Sequence, residues 1–343
     1  MSIPHGRFSR QILFSPIGER GQAALARANV AIVGIGALGT ALAHHLVRAG
    51  VGHLRIIDRD FVEESNLQRQ MLFTEKDAED SMPKAIAARD HLQTINSAAD
   101  ITAHVADLTW RNAEELLTDV DLILDGSDNF SVRYLINDTA VKHGIPWIYG
   151  GAVSSRGMTF TIRPGITPCL ACLFPEIPAP GTTETCDTAG VIGPVVQVVA
   201  AYQAAEALKL LVGDTDALDS RLRHFELWHN RDGALQVAPS KREHCPVCKQ
   251  GEYKHLHPSN PTDTAVSLCG RNTVQVSSAS TLDLDRLEHR LSSLGTVERN
   301  RFLLRAQVDE QHRLVIFPDG RVLVQGTDQA ETARSLVARY IGA

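Results

Sequence analysis

The sequence has no basic excess, few cysteines and no low-complexity segment, and each lack excludes something. A formal charge of -6 over 343 residues argues against bulk nucleic-acid binding, which a basic surface would drive. No unbroken apolar run reaches the ~20 residues that a membrane span needs, so no membrane partner is expected. The first residues, Met1 to Arg7, carry no signal-peptide core. Six cysteines in a chain of this length are too few for a disulfide scaffold. They point to a reducing, cytoplasmic compartment in which thiols bind metal or react. No internal repeat is visible. What remains, 43% hydrophobic and 22% charged residues, is the composition of a globular protein with room for a large domain and a smaller one.

The richest stretch runs from Asp58 to Gln70, Asp-Arg-Asp-Phe-Val-Glu-Glu-Ser-Asn-Leu-Gln-Arg-Gln. It follows the apolar strand Leu54 to Ile57, whose carboxyl end should deliver Asp58 to a ligand crevice. Upstream, the strand Asn29 to Val33 runs into Gly34-Ile35-Gly36-Ala37-Leu38-Gly39 and then a helix from Thr40 to Ala49. Glycines at that spacing between strand and helix allow a tight turn and close phosphate approach, and the helix N-terminus favours anions. Asp58 lies 19 residues past Gly39, where a ribose-binding acid is expected. A nicotinamide dehydrogenase needs only that acid. Arg69 is surplus to it, and its planar fork suits phosphate oxygens.

Further along, Lys84 opens a helix running to about Thr94. Asp128 follows the strand Asp121 to Asp125 and precedes a helix from Asn129 to His143. There it can cap that helix or hold Mg²⁺ beside phosphates; position alone leaves both open. Val191 to Val212 reads as a buried, nearly all-apolar helix interrupted by Gly193-Pro194. Cys169-x-x-Cys172 and Cys245-x-x-Cys248 supply four thiolates, the set a structural Zn²⁺ takes tetrahedrally. Cys186, after a Pro/Thr/Gly-rich loop from Pro175 to Thr185, and Cys269 are left over. Residues 1–250 read as one domain, 251–266 as a linker and 267–343 as a small α+β module with nothing catalytic in it. The fold class is α/β: a Rossmann-like doubly wound sheet with a structural zinc site, plus that C-terminal α+β module.

Together these signatures resemble the ThiF/MoeB group of bacterial adenylyltransferases, kin of the ubiquitin-activating enzymes. Phe8-Ser9-Arg10-Gln11, the glycine motif, Ser65 to Gln70, Pro83-Lys84, Ser127-Asp128-Asn129, Cys186 to Pro194, Gln203 to Leu211 and both cysteine pairs carry the likeness. It covers residues 8 to about 250, and the tail is most similar to that of ThiF proteins from Gram-positive bacteria. The tail lacks the rhodanese active-site loop of some MoeB relatives, so no sulfur transfer is assigned to it.

The resemblance implies ATP-dependent adenylation of the C-terminal glycine carboxylate of a ubiquitin-like sulfur carrier, ThiS or MoaD, in thiamine or molybdopterin biosynthesis. It implies Asp58 on the ribose, Asn66, Arg69 and Lys84 on the phosphates, and Asp128 on Mg²⁺. Arg10 would reach the triphosphate of the other subunit of a homodimer. Cys186 matches a position where ThiF can link covalently to its carrier, and a cysteine desulfurase is a further candidate partner. The rival readings are a superfamily member that activates a tRNA base or a peptide terminus, a non-catalytic scaffold of the superfamily, and the NAD-dependent dehydrogenase.

Overall fold

The computed structural model describes residues 5–177, 184–259, 265–268, 272–277 and 281–342. The chain divides into two compact units, Met1–Ser259 and Asn260–Ala343.

The first unit is built round an eight-stranded sheet of order β3-β2-β1-β4-β5-β6-β7-β8. Strands β1 (Asn29–Val33), β2 (His53–Asp58), β3 (Asp100–Val105), β4 (Leu122–Asp125) and β5 (Trp147–Val153) run parallel. The apolar runs of β1, β4 and the first half of β5 are what a strand covered on both faces requires. Strands β6 (Arg156–Ile162), β7 (Arg221–Glu226) and β8 (Arg231–Gln236) follow antiparallel. The last two have no counterpart in the sequence reading, because Arg221, Arg223 and His224 break the apolar pattern of β7. Strand order reverses between β1 and β4, which makes their carboxyl ends the switch point where such sheets bind ligands.

Helices α1 (His5–Ile12), α2 (Gly18–Leu25), α3 (Ala37–Ala49), α4 (Glu75–Glu79) and α5 (Lys84–Ile95) precede β3. Then come α6 (Ala113–Leu117), α7 (Phe130–His143), α8 (Leu170–Leu173), α9 (Cys186–Ala189) and α10 (Gly193–Val212). One core joins α3, α5 and α10 to one face of the sheet; a second joins α6, α7, α8 and the cysteine segments to the other.

Gly193-Pro194 starts α10 rather than interrupting it, since proline fits the first helical turn, where its missing N–H is not needed. Among the described residues α10 is the one helix long and apolar enough, by length and composition, to cross a membrane. Here Val195, Val196, Val199, Ala200, Ala204 and Ala207 are buried in the core. Its acid, Glu206, accepts from Thr161 Oγ1, Lys209 Nζ and the Asp219 N–H.

The stretch after Cys248 does not become a linker at 251. Leu256 is buried in the second core, and the His255 N–H donates to Asp138 on α7 at 2.9 Å. Pro258 and Asn260 suggested a linker by composition, but the apolar side chain between the cysteines and those residues has a core to enter.

The second unit is a six-stranded antiparallel sheet of order β11-β12-β13-β14-β10-β9. Its strands are β9 (Ala265–Leu268), β10 (Thr273–Ser277), β11 (Val297–Arg299), β12 (Leu304–Gln307), β13 (Arg313–Ile316) and β14 (Arg321–Gln325). Helices α11 (Leu284–Leu291) and α12 (Ala330–Tyr340) supply Leu284, Leu287, Leu291, Ala333, Leu336 and Val337 to its core. Asp283 caps α11 by accepting from the Asp285 and Arg286 N–H groups. Strands β9 and β11 escape the pattern of the sequence, being only 4 and 3 residues long. Cys269 lies outside the described residues.

Candidate nucleotide site and cysteine cluster

At the switch point the backbone is packed too closely for side chains. Gly34 turns at φ +85°, a conformation that glycine adopts without strain. A Cβ on Gly39 would sit 1.9 Å from the Gly34 carbonyl oxygen, and one on Gly126 2.4 Å from the same atom. The three glycines therefore let the ends of β1 and β4 and the first turn of α3 touch. Gly36 differs. A Cβ there would meet one atom within 4 Å, Gln70 Nε2 at 3.8 Å. Gly36 is the N-cap of the 13-residue α3 and makes no side-chain capping bond, so the positive end of that helix faces open space.

Asp58 closes β2 and pins this loop. Its Oδ2 accepts the Ile35 N–H at 2.6 Å and its Oδ1 the Asp60 N–H at 2.7 Å. Burial pushes its carboxyl above the ordinary carboxylate range, opposed by the Lys84 ammonium and reinforced by the Asp60 charge. Lys84, the first residue of α5, is 3% exposed. Its Nζ lies 3.4 Å from Asp60 Oδ2, and its N–H donates to the Asp60 carbonyl at 2.9 Å. Next to them Arg59 Nη1 donates to Asp107 Oδ1 at 3.1 Å. A buried ammonium needs such a partner, and Asp60 is the partner that the sequence reading passed over.

Asn66 is 6% exposed. Its Oδ1 accepts the Glu63 N–H, half of a capping box that begins the short 3₁₀ turn Glu64–Asn66. Its carbonyl accepts the N–H groups of both Arg69 and Gln70, so Asn66 organises the turn that carries them. Arg69 Nη1 donates to the Ser65 carbonyl at 3.0 Å.

Asp128 stands between β4 and α7. The cap of α7 is Asn129, whose side chain accepts the Ser131 N–H at 2.8 Å, so Asp128 does not spend its carboxylate as a helix cap. Beneath it lies a buried network. Arg133 Nε donates to Asp125 Oδ2 at 2.9 Å, and its Nη2 donates to the carbonyls of Ser127 and Gly150. Burial works against the Arg133 cation, and the Asp125 charge more than offsets it. Gln203 on α10 donates to the Asp125 and Ile148 carbonyls. This network fixes the Gly126-Ser127-Asp128 loop. The sequence reading gave Asp125, Arg133 and Gln203 no part in the site, although a charge ending the apolar run Leu122-Ile123-Leu124 was a visible signal.

Arg10 is exposed on α1 and is not brought to these residues. The flanking Arg7 Nη1 and Gln11 Nε2 donate to the carbonyls of Ile95 and Ala49, the last residues of α5 and α3. The loop and Lys84 lie at the opposite ends of those helices, and α3 alone spans about 20 Å.

The cysteine pairs do meet. The Sγ atoms of Cys169, Cys172, Cys245 and Cys248 all lie within 4.8 Å of one another, with 169–245 and 172–248 at 3.6 Å and 169–172 at 3.8 Å. Four bonds of ~2.3 Å to a tetrahedral Zn²⁺ place sulfurs about 3.8 Å apart, so the donor set fits that ion. Hydrogen bonding from the Cys169 thiol pushes the Cys172 thiol down from its ordinary value, the direction that favours a metal-binding thiolate. Cys186 begins α9 with Thr185 as its N-cap; its side chain lies outside the described residues.

Residues 8–247 match the ThiF family, a span that includes the glycine loop, the Asp58 to Gln70 turn, Lys84, Asp128 and three of the four clustered cysteines, Cys169, Cys172 and Cys245. The chain belongs to the ThiF family. It is 48% identical over 340 residues to the sulfur carrier protein ThiS adenylyltransferase of Bacillus subtilis (strain 168), covering 98% of this chain and 99% of that one. It is 40% identical over 247 residues to the sulfur carrier protein adenylyltransferase of Thermus thermophilus, covering 71% of this chain and 90% of the relative. The Bacillus match takes in the second unit as well as the first. Among solved structures, Escherichia coli MccB with MccA-N7isoASN aligns with a TM-score of 0.62 at 22% identity, over 72% of this chain and 75% of that one; this speaks for the fold alone. The ThiF-family chain is an adenylyltransferase of the ThiF/MoeB type, close to the Gram-positive ThiF proteins.

Proposed function

We propose that this enzyme uses ATP to adenylate the C-terminal glycine carboxylate of a ubiquitin-like sulfur carrier of the ThiS type, in thiamine biosynthesis. A carboxylate oxygen attacks the α-phosphorus, the bond from that phosphorus to the bridging oxygen breaks, and pyrophosphate leaves. No general base is required, because a C-terminal carboxylate is already an anion near neutral pH. The observation that carries the reading is the open space over Gly36, at the positive end of α3, ringed by Asp58 and the turn carrying Arg69, with Lys84 beside Asp58. That charge set suits a triphosphate and exceeds what a dinucleotide needs. The nearly full-length likeness to the Bacillus enzyme favours ThiS over MoaD.

In this reading each Asp58 oxygen keeps a second lone pair for a ribose hydroxyl. Arg69 and Lys84 stabilise charge developing on the phosphates, and Asn66 contributes by holding the Arg69 turn. Asp128 would hold Mg²⁺, which would neutralise the leaving pyrophosphate. The four cysteines would hold a structural Zn²⁺ joining the β6–α8 segment to the segment after β8. Arg10, held at the far end of α3, serves the triphosphate site of a partner subunit in a homodimer. The test is ATP–pyrophosphate exchange with purified ThiS and MoaD side by side. Exchange that depends on ThiS is expected; no exchange with either carrier would overturn the reading.

A further inference from the structure

Gln70 ends the Ser65 to Gln70 motif and has no role in the reaction proposed above. It is 4% exposed. Its backbone is anchored, with its N–H donating to the Asn66 carbonyl at 3.0 Å and its carbonyl accepting the Phe73 N–H at 3.2 Å. Its side chain is not settled in the same way. Oε1 is buried and has no hydrogen-bond partner. Nε2 faces the phosphate loop, 3.8 Å from where a Cβ on Gly36 would be.

A buried amide oxygen without a donor is costly, and native proteins keep few of them. An apolar side chain of the same size would avoid that cost. The carboxamide is nevertheless retained at the one opening of the loop. Around Gly34 and Gly39 a Cβ would run into backbone atoms at 2.9 and 1.9 Å; over Gly36 there is room, and the α3 N-terminus points into it. An anion bound there can only accept hydrogen bonds. A carboxamide offers two N–H donors and can turn its amide edge toward such a ligand. Arg69 and Gln70 also share one support, since both N–H groups end on the Asn66 carbonyl, at 3.1 and 3.0 Å.

We infer that Gln70 is a phosphate-contacting residue: its Nε2 donates to a nonbridging oxygen of the nucleotide polyphosphate seated over Gly36. A neutral donor there holds the phosphate chain against the loop, while Arg69 and Lys84 supply the charge. The inference rests on the ATP-dependent reading above and adds a residue to that site.

The test compares Gln70→Met, which keeps length and removes polarity, with Gln70→Glu, which keeps shape and presents a negative charge. ATP affinity is measured by calorimetry on the full zinc-loaded chain, adenosine affinity by competition, and Tm by thermal unfolding. Gln70→Met should bind ATP about tenfold more weakly, as loss of one hydrogen bond to a charged group predicts, with adenosine affinity and Tm held. Gln70→Glu should bind ATP about a hundredfold more weakly, because a like charge is added. It carries the test if Gln70→Met does not fold. ATP affinity within twofold of the unaltered chain in the folded variants, or an equal loss for adenosine, would overturn the inference, the second by making Gln70 a support of the whole pocket. An unaltered chain that binds ATP but exchanges no pyrophosphate with either carrier defeats adenylation and leaves the Gln70 comparison standing. An unaltered chain that binds no ATP defeats both.

Discussion

Asp138 offers a stability prediction with a definite sign. It sits on α7, 0% exposed, and holds the segment beyond the second cysteine pair by accepting the His255 N–H at 2.9 Å, while its Oδ1 has no partner. Burial pushes its carboxyl up from an ordinary 3.8 to about 6. The folded state therefore binds this proton more tightly than the unfolded state does. Its contribution is favourable below about pH 4 and is lost as pH rises through about 6. Two pH units correspond to roughly 3 kcal/mol at ~1.4 kcal/mol each, an upper bound on what the buried charge costs at pH 7. Asp138→Asn keeps an acceptor for His255 and removes the charge. It should raise stability at pH 7 by about 1–2 kcal/mol, or several degrees in Tm for a unit of this size. The gain should shrink toward pH 5, where the native carboxyl is already largely protonated. The assay is thermal unfolding of the zinc-loaded protein at both pH values. An asparagine variant that is less stable at pH 7, or equally stabilised at both, would falsify the argument, because the shift must come from the ionisable carboxyl.

The remaining expectations concern the site and assembly. Arg69→Ala or Asp128→Ala should lower pyrophosphate exchange by about 10²-fold, the usual loss of one group that stabilises developing charge; a folded variant at full rate removes that residue from the reaction. Mixing Arg10→Ala with Asp128→Ala subunits should restore one intact site per heterodimer, and failure despite proven subunit exchange returns Arg10 to the ordinary surface. Metal analysis should find about one Zn per chain, with chelation lowering Tm, since binding energy at a structural site is folding energy; a disulfide or an empty cluster sinks this. Cys186→Ser should leave exchange nearly intact, because the carboxylate attacks ATP without a thiol. Collapse of exchange in the folded protein would place that thiol in adenylation.

Much of the candidate site can be picked out along the sequence because its residues are local in the chain. The glycine loop, Asp58, Arg69 and Asp128 each belong to a strand end or the turn after it, and a strand followed by a glycine turn announces where it will deliver its residues. The cysteine pairs were legible by spacing within each pair, two thiols three residues apart. Their meeting across 76 residues, by contrast, is a property of the folded sheet. Tertiary structure alone decided which charges face one another. Lys84 takes Asp60 across 24 positions, and Arg133 on α7 reaches back to Asp125 at the end of β4. Those pairings depend on how the crossover helices pack back over the strands, which the order of residues along the chain does not display. The fold also decided that Leu256 enters the core rather than a linker, and that β7 and β8 extend the sheet through strands whose polar residues hide their period. Sequence specifies chemistry wherever neighbours along the chain are neighbours in space. Burial and long-range pairing fall to the tertiary structure, because they are set by whatever the rest of the chain brings alongside.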